Sequence, residues 1–451
     1  MKRTTKNILA VAVTAALCAP MAAMATNGYF AHGYGTKNKG LAGGGAALPQ
    51  DSMIAATNPA GMVFVGNRLD VGAAIFSPNP RSYTSSGPAA TACGPGGCPF
   101  SIGPQSVDSE DGVFLIPHFG RNWMLDANSS IGVSVYGNGG MNTEYKGGTA
   151  TYFDGAAFVS PSGTYGAGKT GVNLEQLFIA GTYARKINDN ASWGVTPIIV
   201  YQRFEATGVG SFAPFSSDPT KLSNNGVDTS TGYGLKLGIQ GEAAPGVTLA
   251  ASYQSKMSMS ELKDYAGLFA EGGDFDIPAT ATLGVAWKTS PSTVLTADIQ
   301  KIYYSAINSI ANPIANLTGS CTPSPTGGLP TGSGCLGESG GAGFGWEDMT
   351  ILKLGYQWAG SAGWTWRAGL SKGDQPIPKE ETMFNILAPA VMETHLTFGF
   401  TKEVGADNEF NFAAMYAPNS SVKGTNPLNT AQTIELEMSQ WELEGSWAVK
   451  F

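Results

Sequence analysis

Residues able to do chemistry are few in this chain, and their spacing matters more than their number. His32, His118 and His395 are the three histidines. A barrel-type esterase or phospholipase would need one of them beside a nucleophilic Ser with an orienting partner, and no motif assembles that set. Gly35-Thr-Lys-Asn-Lys-Gly40 looks like part of a phosphate loop, but Leu41 stands where the lysine belongs and no strand–loop–helix unit surrounds it. Gly272-Gly-Asp-Phe-Asp276 hints at calcium in one weak copy. Cys93 and Cys98 enclose Gly-Pro-Gly-Gly, and Cys321 and Cys335 enclose a Ser/Thr/Pro/Gly run. In an exported chain these read as two disulfides; three pairings are formally possible, with local pairing expected because each pair lies in one loop. Zinc at Cys93 and Cys98 lacks a nearby His or second Cys pair. No catalytic residue, metal or cofactor is therefore expected. The chemistry left over is binding. Lys37, Lys39, Lys236, Lys353 and Arg367 sit where they could meet a carboxylate ligand, or else pair with Asp298, Glu442 and Glu444.

The elements that must position these residues follow from composition. Residues 1–25 read as a secretory signal peptide: Lys2, Arg3 and Lys6, a short apolar run, then Ala23-Met24-Ala25. The net charge of −8 argues against nucleic acid as a partner. Charged residues are only 13%, glycine reaches 61 residues, and no apolar run is long enough for a spanning helix. Such a chain suggests an all-β protein, an outer-membrane β-barrel in a Gram-negative cell.

From Asn67 onward apolar and polar residues alternate. Leu283, Val285 and Trp287 share one face, with Thr282, Gly284 and Lys288 on the other. Fourteen such strands are expected near 67–78, 112–125, 130–146, 171–187, 193–207, 229–242, 247–260, 277–289, 292–306, 346–358, 363–373, 392–403, 409–420 and 433–451. Connections after even strands are short; those after odd strands, including 421–432, are long. One rim thus carries tight turns and the other large loops, as in outer-membrane barrels but not in sandwiches. In the last strand Trp441, Leu443 and Trp447 face lipid while Glu442 and Glu444 face the lumen. A fourteen-strand wall is roughly 28 Å across, too wide for its own side chains to fill. Residues 26–66 are Gly/Ala-rich and too poor in apolar bulk to fold alone. They are expected to form an N-terminal hatch plugging a barrel of residues 67–451.

Asn58-Pro59-Ala60 at the end of this segment resembles the hatch of the outer-membrane long-chain fatty acid transporter family, which also includes monoaromatic hydrocarbon channels. Tyr136-Gly137, Tyr253-Gln-Ser-Lys256, Phe275-Asp-Ile-Pro-Ala279, Trp346-Glu-Asp348, Arg367-Ala-Gly369 and Pro376-Ile-Pro378 extend the resemblance over the mature chain. It implies a monomeric plugged barrel, surrounded by membrane lipid and lipopolysaccharide, that takes up fatty acids or, second, neutral hydrocarbons and releases them sideways. Gly137, Gly139 and Gly140 in the third strand suit that wall gap, or an ordinary flexible strand end. Leu262, Tyr265, Leu268 and Phe269 share a helical face that would form a landing site at the outer rim, with Phe212 and Phe215 opposite; packing on the neighbouring loop is the alternative. Tyr29 and Phe30 would enter the pocket or anchor the hatch. Asn58, Pro59 and Ala60 would set hatch geometry. An open, charge-lined porin and a lipolytic enzyme are the competing classes.

Overall fold

Alternating side chains give each strand one apolar face, and closing the sheet turns that face to lipid. The computed structural model describes residues 26–92, 98–110, 112–154, 156–324 and 328–451. Fourteen long antiparallel strands form its wall. They are β1 (Arg68–Ser77), β2 (Phe114–Met124), β3 (Ser129–Tyr145), β4 (Thr170–Asn188), β5 (Ala191–Thr207), β6 (Asp228–Ala244) and β7 (Val247–Gln254). Then come β8 (Thr280–Ser290), β9 (Thr293–Ile302), β10 (Met349–Ala359), β11 (Trp364–Gly373), β12 (Thr394–Val404), β13 (Asn408–Asn426) and β14 (Asn429–Lys450). Each pairs with the next, and β1 pairs with β14 from Arg68↔Lys450 to Ser77↔Trp441, which closes the cylinder. Ile199, Leu237, Leu283, Leu352 and Trp447 are exposed on its outside, whereas Glu442 and Glu444 are buried within. The closed fourteen-strand wall and the facing of its last strand agree with the sequence reading.

The short turns lie on one rim. Gly246, Gly363 and Gly405 each take a left-handed conformation there (φ 75°, 73° and 70°), which glycine adopts without steric cost. One connection departs from expectation. Residues 421–432 are not a large loop: β13 and β14 run 19 and 22 residues and continue as a hairpin beyond the rim. Lys423 and Glu435 face each other across it, with nitrogen and oxygen 3.2 Å apart, and Arg81–Ser86 pairs along its other edge. The polar stretch Ser420-Ser-Val-Lys-Gly-Thr-Asn426 has no apolar alternation, so its strand is invisible in the sequence.

Candidate functional site

Three features meet inside the wall: an anchored N-terminal segment, a break in strand pairing, and an apolar cavity.

The segment from Thr26 to Val65 lies in the lumen and is almost wholly buried. Two turns carry its geometry. Asp51 caps Ser52–Ala56, and Asn58 caps Pro59–Phe64 by accepting the Ala60 N–H at 3.2 Å. Asn58 also donates to the Ala46 carbonyl at 2.9 Å. A Cβ at Gly194 in β5 would collide with Pro59, and one at Gly238 in β6 with the Asn58 side chain. The wall is therefore thinned to admit the Asn-Pro-Ala turn.

Charge fixes the segment to the seam of the barrel. Lys39 lies 2.8 Å from Glu442 and 2.7 Å from Glu444, both on β14. Lys37 and Arg68 share Glu409 on β13, at 2.6 and 3.1 Å, and Arg68 also holds Asp70 at 2.7 Å. Lys353 donates to the His32 carbonyl at 3.0 Å, Arg367 to Gln50 Oε1, and Lys236 to the Ala56 carbonyl. Asp298 accepts the Gly45 and Ala46 N–H groups. These lumenal cations are thus engaged by the barrel's carboxylates and by backbone and side-chain oxygens of the hatch.

The break lies between β2 and β3. Their pairing runs from Met124↔Ser130 to His118↔Tyr136 and stops there. It resumes at the rim, where the Glu110 N–H donates to the Glu144 carbonyl at 2.8 Å. Pro117 has no N–H to offer at the point where the strands part. On the other side of β3 the register with β4 slips between Gly137 and Gly139, leaving Asn138 without a partner position. Asn138 turns inward, donates to Gln176 at 3.0 Å and accepts the Tyr34 hydroxyl at 2.9 Å. The chain's first described residues cover this bulge: the Gly140 N–H donates to the Tyr29 carbonyl, and the Ala31 N–H to the Asn138 carbonyl. Any Cβ at Gly139 would strike the Tyr29 carbonyl oxygen.

The cavity is tightly packed, with a free volume of about 40 Å³. Val172 of β4 and Phe204 of β5 form its wall side; Phe212, Phe269, Phe344 and Phe384 come down from four separate loops. Its remaining lining is apolar too, except for Ser309, whose hydroxyl is already given to the Asp274 carbonyl. No lysine or arginine lines it. Val172 is the register partner of Thr143 on β3, so the cavity is one strand from the broken wall.

A family model described as "Outer membrane protein transport protein (OMPP1/FadL/TodX)" matches residues 13–443. The chain belongs to this family. Its members are outer-membrane transporters of hydrophobic compounds, and this chain is an outer-membrane β-barrel of that kind. Solved structures agree on the FadL/TodX fold. The Pseudomonas putida toluene transporter TodX superposes with a TM-score of 0.64 at 16% identity, covering 94% of this chain and 100% of that one. The Ralstonia pickettii toluene transporter TbuX gives 0.59 at 16% identity, covering 93% and 99%. A Pseudomonas aeruginosa FadL homologue gives 0.62 at 15% identity, covering 94% and 100%. Among curated proteins none matches.

Against this FadL/TodX framework the expected site residues divide. Phe212, Leu268 and Phe269 line the apolar cavity; Phe215 lines a second, outer groove. Leu262 and Tyr265 line neither. The helix expected over 261–276 is not formed: only Lys263–Tyr265 and Ala270–Gly273 make single turns. Gly272 and Gly273 are left-handed, and Leu262, Tyr265 and Phe269 are buried rather than exposed at the rim. Tyr29 and Phe30 do not line the apolar cavity. They pack as anchors on Tyr304, with ring centroids 5.4 and 6.0 Å away, and Tyr29 also stacks near Trp346. Cys321 and Cys335 form a disulfide; Cys93 and residues 1–25 lie outside the described residues. The reading missed Phe344, Phe384, Leu336 and Leu387. Their one sequence signal was apolar bulk inside otherwise turn-rich loops.

Proposed function

We propose that this chain is a passive uptake channel for uncharged apolar molecules, aromatic hydrocarbons before fatty acids, with release sideways between β2 and β3. One observation carries the order of ligands: the cavity is lined by phenylalanines and aliphatic groups, with no cation for a carboxylate. Fatty acids, first in the sequence reading, therefore move to second place. Burying each CH₂ or its aromatic equivalent gains about 0.8 kcal/mol, and exit into the bilayer keeps that gain. The buried ion pairs holding residues 26–66 oppose a route downward. The unpaired stretch of β2 and β3 supports a route to the side. Two of the structural relatives are described as toluene transporters, which accords with this reading.

Catalysis is not part of the reading. Ser371 and His395 do lie within hydrogen-bond reach, 3.1 Å apart. Both are buried, His395 Nε2 has no partner, and its ring stacks on His32 at 5.9 Å rather than facing a carboxylate. A Ser–His pair without an orienting acid and without access is a packing contact.

Cells producing the full chain should accumulate labelled toluene faster than cells without it, and labelled palmitate no faster. The reverse result would reject the ligand order. Deleting Asn138 restores an unbroken register with β4. This variant should still fold into the outer membrane yet lose toluene uptake; unchanged uptake would reject the side exit.

A further inference from the structure

An outer groove of about 410 Å³ adjoins the apolar cavity. Phe100, Tyr152, Phe153, Pro214 and Phe215 form its sides. It joins loops 79–111, 147–170 and 208–228, with Pro323 and Leu428 at the edges. One side chain belongs to both linings: Phe212. It is 2% exposed and stands between the two spaces. Its ring meets Phe384 edge-on at 5.1 Å on the inner side, and Phe100 at 5.2 Å and Tyr165 at 5.4 Å on the outer side. The turn that carries it, Gly210–Phe215, is held from behind. The Leu336 N–H donates to the Phe215 carbonyl at 2.9 Å and the Ser324 N–H to the Pro214 carbonyl at 3.1 Å. Ser324 lies inside the loop closed by the Cys321–Cys335 bridge, and Leu336 directly follows Cys335. The backbone of the turn is thus fixed while its phenyl ring divides groove from cavity.

We propose that Phe212 is a shutter: rotation of its ring joins the outer groove to the inner cavity and admits an uncharged ring-shaped ligand. A ligand ring can take the position the phenyl vacates, because an edge-to-face contact with Phe384 and a tilted one with Phe100 suit any aromatic of similar size. This rests on the uptake reading above. A shutter changes the rate of entry as well as that of exit, whereas a mere wall residue changes affinity through the exit rate alone.

The test is fluorine exchange NMR with hexafluorobenzene on the full-length protein in nanodiscs, with empty nanodiscs as the blank. Phe212→Ala should raise the entry rate as well as the exit rate by about tenfold each, faster entry being the mark of a shutter. Phe212→Trp should slow both, and it keeps the aromatic packing if the alanine variant folds poorly. Phe344→Ala, which touches only the inner cavity, should weaken affinity through exit alone. If the Phe212 variants behave like Phe344→Ala, or leave both rates unchanged, the shutter is overturned. Absence of saturable binding by the unmodified protein would overturn the uptake reading itself, and the shutter with it.

Discussion

Lys39 shows how much one side chain decides. Its ammonium is buried between Glu442 and Glu444, and Thr36 adds a hydroxyl hydrogen bond to Glu444 at 2.7 Å. Truncating one member of a buried ion cluster leaves uncompensated charge, at a cost of about 3–5 kcal/mol. Lys39→Met should therefore lower the denaturant midpoint of the protein in detergent by a corresponding amount. Adding Glu442→Gln and Glu444→Gln to that variant should recover most of the loss, because two neutral amides need no cation. A Lys39→Met protein as stable as the original would show that the carboxylates are already neutral in the lumen. Sequence alone placed Lys39 in the plug and the two glutamates on the lumenal face. It could not decide between ligand contact and mutual pairing, since that depends on a meeting of residues some 400 positions apart.

The loop 261–276 illustrates the next scale. Its apolar residues were legible, but their helix was not formed, because contacts with other loops override local periodicity. Leu262 is buried, Tyr265 and Phe269 turn inward against Phe204, and Phe269 also meets Phe275. The loop closes on Asp274, whose carboxyl is pushed up to about 7 by burial first and then by the neighbouring Asp276. Lys256, ion-paired to Asp276, opposes the shift, and Glu271 adds to it. A carboxyl raised above its unfolded value near 4 favours the folded loop only while it is neutral. Its contribution is complete below about pH 4 and fades as pH rises through about 7. Hydrogen exchange over residues 262–275, corrected for intrinsic rates, should be faster at pH 8 than at pH 5.5. Asp274→Asn should remove the difference; equal protection of the original protein at both pH values would reject the argument.

At the scale of the molecule, the hatch decides whether the barrel is a pore. Fourteen strands enclose more space than their own side chains fill, and residues 26–65 occupy it. The intact protein should show no steady ohmic conductance in a planar bilayer. Removing residues 27–57 should open one, provided the barrel still assembles, which heat-dependent gel mobility checks. A conducting intact protein would mean that polar solutes pass around the plug. The strand count, the sorting of loops by rim and the facing of β14 were all legible, because period-two alternation is a local property. The extended hairpin of β13 and β14 was not, since its upper half is polar on both faces.

Local residue patterns alone set the wall and the nature of its stopper. Alternation and turn residues act within a few positions, so fourteen strands could be read without knowing their neighbours. The cavity and the break in pairing arise from contacts made in three dimensions. The apolar cavity draws residues from β4, β5 and four loops, the pairing of β2 with β3 stops beside the slipped register of β3 with β4, and Phe212 acquires its place only when distant loops fold over it. Such convergence leaves no periodic trace along the chain, because the lining is shared among separate loops whose partners are set by closure of the cylinder.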